Sequence, residues 1–101
     1  MIVISGTARI RPEAKAEAKA AAIAMAATSA AEPGCAAYEL SELLTDPNTF
    51  RLFEQWDSAE ALAAHFQTPH FAEFSRVLPG FLAAAPTFLR YEVASAGPLR
   101  G

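Results

Sequence analysis

The chain has 101 residues, 52% of them hydrophobic and 19% charged, with a formal net charge of −3. That length makes one domain with a modest core and leaves no room for a second. The mixed charge, with no cluster of Lys and Arg, excludes a nucleic-acid groove. The longest apolar run, Ala20–Ala27, is far short of the ~20 residues that a membrane span needs. The single Cys35 has no intrachain partner, and with no secretory signal in the sequence the expected compartment is the cytoplasm.

Ile2–Ile10 alternates as a first strand, with Ile2, Ile4, Ala8 and Ile10 on one face and Val3, Ser5, Thr7 and Arg9 on the other. Pro12 opens a long helix to about Ala31. Its Glu and Lys residues alternate with alanines like a strand, but length and alanine content decide for helix. The expected inward stripe is Ala16, Ala20, Ile23, Ala27 and Ala30, and Glu32-Pro33-Gly34 ends the helix. Cys35–Leu43 reads as a second strand and Asp46-Pro47-Asn48 as the turn of a hairpin. On the third strand Phe50, Leu52, Glu54 and Trp56 face one way, Arg51, Phe53 and Gln55 the other.

Ser58 is a good cap for a short helix that places Leu62, His65 and Phe66 on one face. Thr68-Pro69 restarts a second helix, whose apolar stripe is Phe71, Phe74, Val77, Leu78 and Phe81 and which ends near Pro79-Gly80 or just beyond. Pro86 introduces a last strand, Thr87–Ala94. Residues 1–96 form the single domain, and 97–101 a flexible tail.

The order β-α-β-β-α-α-β is that of an α+β, ferredoxin-like antiparallel sheet with its helices on one face. Both faces of the first and third strands nevertheless carry apolar residues: Val3 opposes Ile2 and Ile4, and Phe53 opposes Phe50 and Leu52. A sheet with one solvated face alternates more cleanly. The bare face therefore calls for a partner, and a second copy of the same sheet is the simplest, giving a homodimer.

Candidate site residues converge on the third strand and the helices after it. His65 is either a core histidine or a general base, since a neutral imidazole accepts a proton near pH 7. Trp56 is core or a wall for an aromatic ligand. Glu54 shares its face and either enters the cavity or pairs with a cation such as Arg51 or Arg90. Tyr38 is a possible oxyanion donor or a residue of the dimer seam, as is Tyr91. Phe66, Phe71, Phe74 and Phe81 are core first and pocket walls second, with His70 closing the pocket beside Phe74. A metal set of His65, His70 and Glu73 lacks ligand spacing, so no metal is expected.

Pro33-Gly34-Cys35 leads into Tyr38-Glu39-Leu40 and Asp46-Pro47-Asn48. Phe53-Glu54-Gln55-Trp56, Ser58, Ala61, His65 and Thr68-Pro69-His70-Phe71 follow, and Tyr91-Glu92-Val93 closes the series. In this succession the chain resembles the antibiotic biosynthesis monooxygenase family, small dimeric α+β barrels that include quinol monooxygenase-like members. The resemblance implies a cofactor-independent monooxygenase that acts with molecular oxygen on a quinol or polycyclic phenol. In it His65 would be the base, Trp56 and the phenylalanines the walls, and Tyr38 an oxyanion donor. It also admits a non-catalytic module holding a small hydrophobic ligand, or an isomerase or cyclase of the same fold. The haem-degrading branch departs from this chain, which has His65 where those relatives carry Trp, Ser75 near their haem-ligating His, and Ser5, Gly6 and Thr7 where they use an Asn. No cofactor is implied.

Overall fold

A computed structural model describes residues 1–100. Strand β1, Ile2–Arg9, buries Ile2 and Ala8, and Ile10 just beyond it, on its inner face. Gly6 lies between them, opposite Phe88 of the last strand; a Cβ there would run into the Thr87 carbonyl oxygen, so only glycine permits that approach. A single 3-10 turn, Pro12–Ala14, feeds helix α1, Lys15–Ala30.

The buried stripe of this helix is not the expected one. Ala14, Ala18, Ala22, Met25 and Ser29 face inward, whereas Ala16, Ala20, Ala27 and Ala30 are exposed and Ile23 is 63% exposed. Alanine occupies every face, so local hydrophobicity hardly distinguishes one rotation of the helix from another. The sheet makes the choice, taking the face whose small residues allow close approach.

Strands β2, Cys35–Leu43, and β3, Asp46–Trp56, form the expected hairpin, but its tip is Leu44-Thr45 rather than Asp46-Pro47-Asn48. The Asp46 carboxylate instead accepts from the Asn48 N–H at 3.1 Å and the Thr49 hydroxyl at 2.6 Å. That bracing holds an irregular start to β3, where the register jumps from Leu43↔Asp46 to Glu42↔Phe50. Phe50, Leu52, Glu54 and Trp56 then bury in alternation, as their spacing requires.

Helix α2, Ala59–His65, is capped by Ser58, which accepts from the Ala61 N–H at 3.1 Å. Helix α3, Pro69–Phe81, is capped by Thr68, which accepts from the Phe71 N–H at 3.2 Å. The far end of α3 is tied to the β1–α1 loop: Arg11 donates its backbone N–H to the Phe81 carbonyl at 2.8 Å and its Nε–H to the Gly80 carbonyl at 3.1 Å. Strand β4, Thr87–Glu92, stops two residues before the expected Ala94. Residues 94–100 are exposed without regular structure; Gly101, the last of the expected tail, lies outside the described residues.

The four strands lie in the order β2-β3-β1-β4, all antiparallel, which is the ferredoxin-like topology. All three helices cover the inner face. The outer face carries Val3, Phe53, Leu89 and Tyr91, the last two about half exposed, with Arg51 donating to the Ser5 hydroxyl at 2.9 Å among them. No described helix is long and apolar enough to cross a membrane.

Candidate active site

Helix α3 is pinned at its two ends and leans on α1, while its middle stands away from the sheet. Its Phe71, Phe74 and Phe81 are only half buried within the chain. Between them and the sheet lies a cavity of about 550 Å³, within the usual range for small-molecule sites. Phe66, 44% exposed at the end of α2, stands at its rim and packs edge-on to Phe71 at 5.0 Å. The four phenylalanines of the sequence reading therefore border one space, as cavity walls rather than sealed core.

One row of the sheet crosses the cavity floor: Tyr38, Glu54, Ile4 and Arg90, one from each strand in register. Apart from these three polar residues and Ser75 of α3, the lining is apolar. Glu54 is 5% exposed, and its Oε1 accepts from the Trp56 indole N–H at 2.9 Å. Burial raises its pKa above the ordinary carboxylate value, against the lowering effect of the indole bond and of His65. Neither arginine considered as a partner reaches it. Arg51 is on the opposite face, and Arg90 lies two strands away beyond Ile4, 4.0 Å from Glu92. Burial, and after it the Glu54 charge, pushes the Tyr38 hydroxyl well above its usual range, so it stays protonated and can donate. Beside it Ser29 Oγ is fully enclosed without a good hydrogen bond.

His65 is buried to 1% exposure but does not border this cavity. Its ring lies 4.8 Å from Trp56, 5.2 Å from Phe71 and 5.7 Å from Tyr38, one layer behind the wall. Trp56, wholly buried, is in that second layer too. Neither His65 nor Trp56 is among the residues that line the cavity. Glu54, which Trp56 contacts, and Tyr38, beside His65, are among the residues that line it. His70 faces a shallower groove on the far side of α3 with Glu73, so it does not close the main cavity.

What joins the two histidines is Glu32, which sequence reasoning used only to end a helix. Its Oε2 lies 2.6 Å from His65 Nδ1 and 2.7 Å from His70 Nε2. A carboxylate oxygen only accepts, so both nitrogens carry the shared protons. Gly34, with φ +82°, makes the turn that delivers Glu32; a Cβ there would stand 2.5 Å from Ala61 of α2. Glu73 is engaged elsewhere, with Arg76 at 2.6 Å, so the trio His65, His70 and Glu73 is not assembled. A signal was available: an acidic residue at a helix C-terminus opposes the helix dipole and calls for a compensating donor. Close by, burial and then the charges of Glu54 and Glu32, with a smaller contribution from Asp57, hold the Cys35 thiol up.

The sequence model described as antibiotic biosynthesis monooxygenase matches residues 1–77. The chain belongs to that family. Its family match takes in β1 through most of α3, which supply all of the cavity lining except β4 and the end of α3. Among its relatives, sll1783 of Synechocystis sp. is 37% identical over 93 residues, which cover 92% of this chain and 63% of that protein. The chain thus spans less than two thirds of that relative's length. YcnE of Bacillus subtilis is 32% identical over 94 residues, covering 93% and 99% of the two chains. A crystal structure from Deinococcus radiodurans, assigned by name to the same antibiotic biosynthesis monooxygenases, superposes with a TM-score of 0.91 at 26% identity over the full length of both chains.

Proposed function

We propose that the chain is a cofactor-independent monooxygenase for a quinol or polycyclic phenol, with Glu54 receiving the substrate's proton. The observation that carries this reading is a buried carboxylate with a raised pKa, paired with no lysine or arginine among the described residues, on the floor of a 550 Å³ aromatic cavity. A base poised in that way accepts a phenolic proton and later returns it.

The chemistry balances without an external reductant. Glu54 takes a hydroxyl proton, and the resulting phenolate, in an apolar-lined cavity, is electron-rich enough to reduce oxygen. The carbon radical and superoxide so formed combine into a ring peroxide. Its O–O bond then breaks, one oxygen staying on the ring and the other leaving as water with the proton from Glu54 and one from the ring. The quinol supplies all four electrons and ends as a hydroxylated quinone. Tyr38, neutral and beside Glu54, donates to the phenolate oxygen. Trp56 fixes Glu54 Oε1, while His65 and Glu32 hold the layer behind it.

The same reading includes a homodimer, with two outer sheet faces covering each other's Val3, Phe53, Leu89 and Tyr91. Oxygen uptake with a panel of naphthoquinols and anthrone-type phenols tests the activity. Uptake that survives unchanged in Glu54→Gln would remove the base assignment. Turnover of the panel under strictly anaerobic conditions would replace oxygenation by proton-transfer isomerisation.

A further inference from the structure

We propose that Glu32, His65 and His70 form a binding site for one first-row divalent cation of the zinc class, on the side of the aromatic wall away from the cavity. The ligand atoms Glu32 Oε2, His65 Nδ1 and His70 Nε2 all lie within 4.8 Å of one another. They come from three separate segments: the turn after α1, the last turn of α2 and the first turn of α3. Two imidazoles and one carboxylate are donors that suit zinc, cobalt or nickel, and they suit magnesium and calcium poorly.

Access is one-sided. His65 is sealed, whereas the Glu32 and His70 side chains keep 12% and 22% of their surface. An ion enters from the His70 side and retains water in its remaining position, the open-site arrangement of three protein ligands. The field favours it as well. The charges of Glu32, Glu54 and Asp57 are all felt at Cys35, and no lysine or arginine pairs with any of the three among the described residues.

In tetrahedral coordination at about 2.0–2.1 Å, neighbouring ligand atoms stand roughly 3.3 Å apart. The two N···O contacts of 2.6 and 2.7 Å therefore widen by about 0.6 Å when the ion replaces the shared protons. Glu32 sits in a turn and His70 keeps part of its ring at the surface, so both can give while His65 stays fixed. The bound ion clips the ends of three helices together behind Trp56, which makes it a positioning ion and not one that meets substrate.

The test uses the whole chain, stripped with a chelator and titrated with zinc chloride by calorimetry, with cobalt absorption as a second readout. We expect one site per chain, a micromolar or tighter Kd, and cobalt d–d bands of tetrahedral intensity. At a hundredfold excess of zinc over Kd, Tm should rise by roughly 10 °C, with magnesium leaving it unchanged. Glu32→Gln keeps an acceptor for both histidines, and His70→Ala removes a partly exposed ring, so both variants are expected to fold. Each should weaken zinc at least tenfold, while Glu73→Gln leaves it as it is. Absence of a one-to-one site, or undiminished binding in both ligand variants, would overturn the proposal and leave the trio as a hydrogen-bonded clasp.

Discussion

Glu54 and Trp56 stand two residues apart on one face of β3, and the indole N–H of Trp56 donates to Glu54 Oε1 at 2.9 Å. The spacing is the period of a strand, but the bond has a consequence that spacing does not convey. It leaves one carboxylate oxygen fixed inside the wall and the residue as a whole on the cavity floor. The fully buried indole thus finds the partner it needs, and the carboxylate is oriented without an ion pair to lysine or arginine.

Glu54→Gln preserves an acceptor for Trp56 and removes the ionisable group. If Glu54 is the base, kcat for oxygen uptake should fall by about 10²–10⁴ while circular dichroism shows the fold intact.

The same variant tests the raised pKa through stability. A carboxyl whose pKa is higher folded than unfolded contributes stability that is fully present below its unfolded value. That contribution is lost as pH rises through the folded value. Urea unfolding should therefore show Glu54→Gln gaining on the native protein as pH rises from ~4.3 towards neutrality. A difference that stays flat over that range would show that Glu54 is not perturbed.

Gly34 and Gly80 should respond in opposite directions to alanine. At Gly34 the left-handed backbone costs an L-residue roughly 1–2 kcal/mol, and the new Cβ also meets Ala61 at 2.5 Å. At Gly80, in the last turn of α3, nothing lies within 4 Å of the added Cβ, so Gly80→Ala should stabilise by ~0.4–1 kcal/mol. Urea midpoints of the two variants, measured side by side, decide it.

The two caps should differ in weight. Ser58→Ala loses one bond, to the Ala61 N–H, and should cost ~1 kcal/mol. Thr68 accepts from the Phe71 N–H and also donates to the His65 carbonyl at 2.7 Å. Thr68→Ala should therefore reach the upper end of the ~0.5–2 kcal/mol range, with Thr68→Ser recovering most of it.

If two outer faces meet, the native protein sediments at twice the chain mass. Phe53 lies between Glu39 and Ser5 in one cross-strand row that ends at Leu89. Phe53→Glu with Leu89→Glu puts like charges into that row, and should give single chains of unchanged secondary structure. A native protein that already sediments as one chain would end the dimer reading.

Strand faces were legible from the chain alone because a period of two leaves no freedom. Once Phe50, Leu52 and Trp56 are inward, Glu54 is inward with them, and Arg51 cannot reach it. Ser58 and Thr68-Pro69 marked two helix starts for an equally local reason, the unpaired N–H groups that a cap must satisfy. Where local chemistry was silent, the reading failed. Alanine on every side of α1 left its rotation to the sheet, and Ile23 ended outside. His65 was recognisably inward, but whether an inward residue meets a cavity or lies behind its wall depends on how far α3 stands from the sheet. Arg11, about seventy residues away in sequence, ties the far end of α3 through the Gly80 and Phe81 carbonyls. Glu32 belongs to His65 and His70 only after the turn at Gly34 has folded onto Ala61, across more than thirty intervening residues. Periodicity and capping act within a few residues, so the chain by itself determined its elements and the faces of its strands. The hollow, the carboxylate on its floor and the clasp behind its wall arise between elements, and only the tertiary structure decided them.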